Sequence, residues 1–453
     1  MPRPVSRPEA SPIDIGAGGG GKRRQRDLRI DAFRGIALMM ILINHIPGNP
    51  YEVLTIRGFG FSDAAEGFFV MSGIAVALAY AGGIERWRAQ RGGLWQGIAP
   101  ILRRVRKLYL VQIFLTLTAL ALFALAAERF AAPELRALHN GGWLYESPGQ
   151  ALAGLVTLTY QVNYVNILPP YILLMLAAPL LIRCGLAAPR ATLAASLGLW
   201  FVAGLLRLDL PVRPGTNGWQ FNPFAWQAIF VVGLMIGLQL RRGARLVPVT
   251  RPLLALSTGF LVLAFAMVHV PSLADPVNRA MYRLETMGVP FHIVSHYKPY
   301  LALPRFLHAL ALIYLLSCLP VVRRLAAHSA AAPFRLLGRQ GLLVFGVGTI
   351  LALCGQIALL VRPEAGWLLW VLPPLAVLLS IAAAWIGDAG RRAAAVEAAA
   401  AAGPAPAAPA AVDALAGASL PRSERAVAAG SRAVSPPRSS RRHRTAGRNR
   451  ATK

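Results

Sequence analysis

The sequence predicts an all-α fold, a polytopic integral membrane protein of about ten transmembrane helices with both termini in the cytoplasm. The chain of 453 residues is 56% hydrophobic with a mean hydropathy of +0.51, which is too apolar for a soluble protein. Apolar runs of about 17 to 23 residues recur along it, and each is long enough to cross a bilayer. Most of the 47 basic residues lie in the two terminal segments and in alternate segments between the runs.

Ten apolar runs qualify as spans. They cover residues 31–47, 62–82, 108–127, 166–182, 191–206, 224–240, 253–270, 303–320, 340–360 and 367–387. With the amino terminus in the cytoplasm, the cytoplasmic segments hold most of the Lys and Arg residues, which predicts both termini on that side. The run 150–160 is too short to cross and is expected to lie at the interface or to re-enter.

Both ends of the chain differ in composition from its apolar middle. Residues 1–26 are rich in Pro, Gly and Arg and lack the apolar core of a cleavable signal, so a disordered basic tail is expected. Residues 27–388 form the predicted transmembrane domain, and residues 389–453 are expected to form a disordered Ala/Pro/Arg-rich cytoplasmic tail. The net charge of +28 comes without any aromatic and basic nucleic-acid motif, so no nucleic-acid partner is predicted.

The first span carries ionisable side chains that hydrocarbon disfavours. Arg34 and His45 are eleven residues apart, which on a helix places them on a shared face about 16 Å apart along the axis, with Asp31 near the same stripe. Such groups are costly at membrane depth, so the pattern indicates a functional cavity. The alternatives are that Arg34 is an ordinary anchor at the cytoplasmic surface and that His45 lies in the outer interface.

The second span begins with two carboxylates. Asp63 and Glu66 share a helix face, although Asp63 is also placed to cap the helix that follows Ser62. Glu66 lies deeper in the span and is the stronger functional candidate. An anionic cytosolic ligand is expected to contact Arg34 and a basic run that enters the third span, whose members are Arg103, Arg104, Arg106 and Lys107.

Several separated blocks of sequence resemble one family. Arg34, ten residues and then His45, followed by the stretch FFVMSG at 68–73, resembles the Arg-x10-His and FFxxSG signature of the acyltransferase family 3 membrane enzymes. The stretches RIDAFRGIALMMILINHIPGNP and TIRGFGFSDAAEGFFVMSG resemble the OpgC branch of that family. Later blocks at 167–180, 221–233, 305–315 and 338–348 resemble it in the same order, so the likeness covers residues 27–388.

The resemblance implies a bacterial inner-membrane O-acyltransferase that adds succinyl groups to a periplasmic glucan or another exported polysaccharide. Its expected partners are the lipid bilayer, that acceptor, and acyl-CoA as the cytosolic donor, with succinyl-CoA the expected form. Acyl transfer to an alcohol needs a base and stabilisation of the oxyanion. His45 is the candidate base, with Asp63 or Glu66 orienting its ring, while Arg34 and the basic run hold the donor phosphates. Direct transfer and a route through acylated His45 are both open.

Candidate acceptor-binding residues lie near the outer ends of later spans, namely Tyr171, Asn222, Trp226, Arg305 and His308. Carbohydrate sites combine an aromatic platform with amides and charges, although Trp and Tyr also form interfacial belts. His292 and His296 have a helical metal spacing, but Ile293 stands where a zinc protease needs Glu, so no metal site is predicted.

The rival interpretation is a transporter or channel that uses the intramembrane Arg, His and Glu side chains for solute or proton movement. Carriers of the common folds have halves with matching broken helices, and the sequence shows no such internal repeat. The acyltransferase is therefore the preferred prediction. The acyl group, the acceptor sugar, its position and the oligomeric state do not follow from the sequence.

Overall fold

A computed structural model describes residues 27–401, and these residues are helical with no strand among them. The α-helices are α1 (Leu28–Asn44), α2 (Ala64–Arg88), α3 (Leu94–Arg129), α4 (Trp143–Glu146), α5 (Pro148–Val156), α6 (Leu168–Ala187), α7 (Pro189–Leu205), α8 (Pro223–Arg241), α9 (Arg251–His269), α10 (Pro271–Thr286), α11 (Leu303–Cys318), α12 (Pro320–Ala327), α13 (Ala332–Arg339), α14 (Gly341–Val361) and α15 (Leu368–Ala401). Short 3₁₀ helices occupy Pro50–Leu54, Ile56–Gly58, Pro133–Asn140 and Ser329–Ala331. The predicted tail at 1–26 lies outside the described residues.

Each of the ten predicted spans coincides with a helix, and seven of these helices are long and apolar enough to cross a membrane. The seven are α2, α3, α6, α8, α9, α14 and α15. An eighth is reached if α11 and α12, which meet at 77°, count as one broken span. The helices α1 and α7, with 17 residues each, are slightly shorter than these seven. The described part of the chain is therefore that of a multi-pass membrane protein.

The last helix runs past residue 389, where the carboxy-terminal tail is predicted to begin. The helix α15 continues to Ala401 because the segment after Asp388 is dominated by Ala, which has the highest helix propensity. Asp388 also pairs with Arg392 one turn later, at 2.6 Å between Oδ2 and Nη2, which favours a continued helix. The rest of the predicted tail, 402–453, lies outside the described residues.

Glycines bring two pairs of helices into close contact. A Cβ atom on Gly73 of α2 would overlap the carbonyl oxygen of Phe230 on α8, and one on Gly233 of α8 would overlap the carbonyl oxygen of Val70 on α2. Small residues at such crossings let backbones approach in membrane proteins. The resulting α2–α8 pair is central because α8 is the most buried of the spanning helices. It fixes the position of the carboxylates at the start of α2.

The helices α1 and α14 run side by side in the same direction. At one end a Cβ atom on Gly341 would lie 3.3 Å from Arg34 Cδ, and at the other a Cβ atom on Gly355 would lie 3.4 Å from the Ile46 side chain. The two predicted functional residues of α1 thus lie near opposite ends of one helix pair. The helix α14 therefore packs along α1 from Arg34 to the end near His45.

An irregular, buried segment follows α5. Residues 157–167 are mostly buried and include Tyr160, Gln161 and Asn166. This segment is held against the 3₁₀ helix Pro133–Asn140, because the Asn140 amide donates to the Gln161 carbonyl at 2.8 Å and the Tyr160 hydroxyl donates to the Asn140 carbonyl at 2.9 Å. Its non-helical backbone is tolerated because it is enclosed by protein.

Candidate functional site

Two acids and two bases form a charged cluster at the start of α2. Lys298 Nζ lies 2.6 Å from Asp63 Oδ2, and Arg305 Nη2 lies 3.1 Å from the same oxygen. Arg305 Nη2 also lies 2.7 Å from Glu66 Oε1, while Arg305 Nε donates to that oxygen at 2.9 Å. The formal charges cancel within the cluster. This pairing makes it possible to bury the Glu66 side chain completely, at 0% exposure.

Asp63 and Glu66 also cap α2. Asp63 Oδ1 accepts from the Ala65 N–H at 2.8 Å, and Glu66 Oε2 accepts from the Asp63 N–H at 2.8 Å. The arrangement is a capping box, which satisfies backbone N–H groups of the first turn. Each carboxylate therefore accepts a backbone hydrogen bond of α2 with one oxygen and pairs with the cations through the other. The sequence left two alternatives for Asp63, a helix cap or a member of a charged site. In the structure Oδ1 caps the helix and Oδ2 pairs with the cations.

The loop that carries Lys298 is fixed by two of the predicted acceptor-binding residues. Trp226 Nε1 donates to the carbonyl oxygens of Lys298 and Pro299, each at 3.1 Å. The Asn222 N–H donates to the Pro299 carbonyl at 3.2 Å, and the Asn222 side chain caps α8 by accepting from the Phe224 N–H at 2.9 Å. Both side chains are completely buried. Their contacts position Lys298.

His308 supports the loop that leads into α2. Its Nδ1 atom accepts from the Ser62 hydroxyl at 2.7 Å and from the Ser62 N–H at 3.4 Å, and the ring is buried. Ser62 immediately precedes Asp63, so His308 fixes the entry to the charged cluster. Tyr171 lies in the core instead, with its ring centroid 5.8 Å from that of Phe68.

His45 follows α1 directly, and its ring packs against that of Tyr164. Its carbonyl oxygen accepts from Gln356 Nε2 at 2.5 Å, which ties it to α14. Its imidazole lies edge-on to Tyr164 with centroids 4.9 Å apart, and Tyr164 lies edge-on to His139 at 5.1 Å. His139 in turn contacts Phe123 of α3 at 5.0 Å. The imidazole is thus oriented by ring packing.

The backbone has unusual φ angles at His139 and Tyr164. His139, Asn140 and Tyr164 have φ angles of 54°, 68° and 68°, in the left-handed region that side chains rarely adopt. Such residues persist only where surrounding contacts hold them, and they concentrate at functional sites. The hydrogen bonds of Asn140 described above supply those contacts. This irregular backbone is what places the two rings beside His45.

The charged cluster lies close enough to His45 for its charges to act on the ring. Lys298 and Asp63 both interact electrostatically with the imidazole. Within residues 27–401, however, no hydrogen bond joins the His45 ring to Asp63 or Glu66. The carboxylates hold Arg305 and Lys298, and the cation Lys298 retains 27% exposure of its side chain. Lys298 is therefore the most accessible charge of the cluster.

The residues expected to bind the donor are divided between two places. Arg34 is half-buried on α1 where α14 begins. Arg103 and Arg104 of α3 both interact electrostatically with Tyr80 of α2, and Arg104 is the less exposed of the two. Three exposed members of the basic run line a groove on α3, namely Arg103, Arg106 and Lys107.

Sequence reasoning missed Lys298, Tyr164, His139 and Gln356. Lys298 had no local signal in the sequence, because its partner Asp63 lies 235 residues away along the chain. His292, considered for a metal, packs instead against Trp200 with centroids 5.1 Å apart. Among the described residues no group of three His, Cys, Asp or Glu side chains is arranged to hold a metal ion.

The family comparison covers most of the chain. The family model described as OpgC protein matches residues 26–392. No curated protein and no solved structure matches the chain. The matched range includes the charged cluster, His45 and its ring contacts, and both helices of the α1–α14 pair.

Proposed function

Since the chain belongs to the OpgC protein family, we propose that it is an integral membrane O-acyltransferase that moves an acyl group from a cytosolic acyl-CoA to a hydroxyl of a periplasmic glucan or other exported polysaccharide. We propose succinyl as the acyl group and the bacterial inner membrane as the location. One observation carries the proposal. His45, a half-buried residue, lies within electrostatic range of Lys298, a cation that a buried ion-pair cluster holds in place.

The proposed base is His45. It accepts the proton of the acceptor hydroxyl as the new C–O bond forms and the thioester C–S bond breaks, and it returns that proton to the departing CoA thiolate. Its ring orientation comes from Tyr164 and from the hydrogen bond between Gln356 and its own carbonyl oxygen. This scheme is one of direct transfer. In a route through an acylated His45, the imidazole would instead be the nucleophile that displaces the CoA thiolate.

The proposed oxyanion stabiliser is Lys298. Acyl transfer develops negative charge on the carbonyl oxygen, and a fixed cation in a site of low dielectric stabilises that charge strongly. Asp63 and Glu66 act in this scheme by holding Lys298 and Arg305 in position. This differs from the sequence-based hypothesis, in which a carboxylate orients the imidazole directly. The reason is that neither carboxylate has an oxygen bonded to His45.

The proposed donor path follows α1. Arg34 at one end of the α1–α14 pair is placed to contact the anionic part of acyl-CoA, with Arg104 on the neighbouring α3 as a second cation. The His45 end of the same pair lies about 16 Å further along the axis, and pantetheine is a long, flexible arm. The acceptor is proposed to enter from the opposite side, where Tyr297 exposes about half of its surface next to Lys298 and offers a platform for a sugar ring.

Mass spectrometry of cell glycans tests the proposal. Periplasmic glucans and surface polysaccharides are compared from cells that express the wild-type chain, no chain, His45→Ala, or the control His328→Ala, whose exposed histidine lies far along the chain in a turn. The expected result is an ester-linked mass increment with the wild type and the control, and none in the other two. Unchanged glycans together with altered solute uptake would instead favour a transporter.

A further inference from the structure

One face of α3 combines cations with apolar side chains. Six residues line a groove of about 390 Å³ on this helix, namely Arg103, Arg106, Lys107, Leu110, Val111 and Phe114. Their spacing of three, four, seven, eight and eleven residues places them along one side of a helix. The cations occupy the part nearer the start of α3, and the apolar residues continue from them.

This face points away from the protein core. At 100° per residue, Arg103, Leu110 and Phe114 lie about 160 to 180° around the helix from Gln112, which is buried. Leu110 is 59% exposed and Phe114 is 60% exposed. Because α3 is long and apolar enough to span a membrane, these exposed apolar side chains lie where lipid chains surround the protein.

The cations of this face are available for an outside anion. Between residues 27 and 401, Arg103, Arg106 and Lys107 form no ion pair with a carboxylate, and the groove is lined without any acidic residue. Elsewhere on the chain a comparable Arg is neutralised, since Arg241 Nη2 lies 2.6 Å from Glu85 Oε2. Three such cations at the membrane surface attract anionic headgroups.

We propose that this face binds an anionic phospholipid, with its headgroup phosphate on Arg103, Arg106 and Lys107 and an acyl chain along Leu110, Val111 and Phe114. The occupant must carry an anion at one end and hydrocarbon at the other, which matches the order of the lining residues. Acyl-CoA fits less well, because its polar pantetheine arm would lie against Leu110 and Phe114 and would lead away from His45. The proposal does not depend on the proposed enzymatic function.

Lipid binding to the purified full chain tests the inference. The affinity for phosphatidylglycerol is measured in a phosphatidylcholine nanodisc background for the wild type and for the triple variant R103Q, R106Q and K107Q. A matched triple variant, R86Q, R88Q and R91Q, removes the same charge from exposed positions at the end of α2 and just beyond it. We expect the α3 variant to lose on the order of tenfold or more in affinity and the matched variant to lose little.

Competition separates the lipid from other phosphate ligands. Excess CoA or inorganic phosphate should leave phosphatidylglycerol bound, and L110N with F114N should weaken binding while the cations remain. Equal losses in the two triple variants would overturn the proposal, because they would show attraction by net charge alone. Displacement of the lipid by CoA would overturn it in favour of a donor site. Unchanged thermal unfolding in phosphatidylcholine excludes misfolding of the variants.

Discussion

The chain carries two concentrations of charge on membrane helices, and they differ in pairing. At the start of α2, Asp63, Glu66, Lys298 and Arg305 neutralise one another and are largely buried. On α3, three cations face outward and have no acidic partner among the described residues. The first arrangement holds its side chains in place, whereas the second leaves its cations exposed to a ligand from outside. Pairing, more than the number of charges, distinguishes the two roles.

The largest expected effect comes from breaking the buried cluster. Arg305→Met leaves Glu66 as an uncompensated buried charge, so the free energy of unfolding should fall by about 3 to 5 kcal/mol. Thermal unfolding of the purified chain measures this loss. Arg103→Met removes a cation from α3 and should leave stability nearly unchanged. Adding Glu66→Gln to Arg305→Met should restore part of the loss, and equal stability of Arg305→Met and wild type would contradict the comparison.

The next effect separates catalysis from stability within the cluster. Lys298→Met should lower kcat by about 10²- to 10³-fold, because it removes the proposed stabiliser of the oxyanion. Lys298→Arg retains the charge and should recover much of the rate. Transfer rates in detergent or vesicles, measured beside thermal unfolding, provide the check. If Lys298→Met lost only stability and kept its rate per folded molecule, Lys298 would be structural.

A smaller effect is expected from the support of the Lys298 loop. Trp226→Phe keeps a ring beside Phe69 and Phe221 but removes the donor to the carbonyl oxygens of Lys298 and Pro299. Losing such a bond costs about 1 kcal/mol, so kcat/KM should fall about fivefold. The exposed Trp95 supplies the control, Trp95→Phe. Equal rates for Trp226→Phe and wild type would show that Lys298 is positioned without this bond.

The smallest effect concerns a single half-buried carboxyl outside the spans. Burial raises the pKa of Asp209 to about 6, although the N–H groups of Leu210 and Trp219 donate to it and lower its pKa. The folded state therefore holds the proton more tightly than the unfolded chain. Ionisation of Asp209 therefore lowers the stability of the folded protein. This loss of stability develops as pH rises from about 4 to about 6 and is complete above that range.

Asp209 forms no ion pair within the described part of the chain, unlike the carboxylates of the charged cluster. The variant Asp209→Asn tests this difference because it removes the ionisable group. The difference in Tm between the variant and the wild type should become more positive by a few degrees between pH 4 and pH 8. Differential scanning fluorimetry at both pH values measures it. A difference independent of pH would show that Asp209 has an ordinary pKa in the folded protein.

Hydropathy and short motifs predicted much of this architecture. All ten apolar runs coincide with helices, since burial of apolar side chains in lipid or protein dominates their placement. The family was also predicted correctly from its sequence blocks. The structure unites Asp63 and Glu66 with Arg305, which was chosen from the sequence for the acceptor side. Pairing across more than 200 residues gave the sequence no local signal for Lys298.

Other features of the site had no periodic signal to read. His139 and Tyr164 stand on irregular backbone with positive φ, which neither helix nor strand periodicity describes. The sequence shows that the basic run lies on α3. It does not show which side of α3 packs against the other helices, because that depends on tertiary contacts. The sequence predicts Arg103, Arg106 and Lys107 as donor-binding residues but does not show that they line an outward-facing groove.

Transfer by the purified protein tests the central claim most directly. Vesicles containing the chain receive radiolabelled succinyl-CoA on one side and unmodified glucan on the other, and label in the glucan is measured for wild type, His45→Gln and His328→Gln. The account predicts labelled glucan with the wild type and with His328→Gln, and none above background with His45→Gln. Full labelling by His45→Gln would contradict the assignment of His45 as the base, and no labelling by the wild type would contradict the proposed reaction.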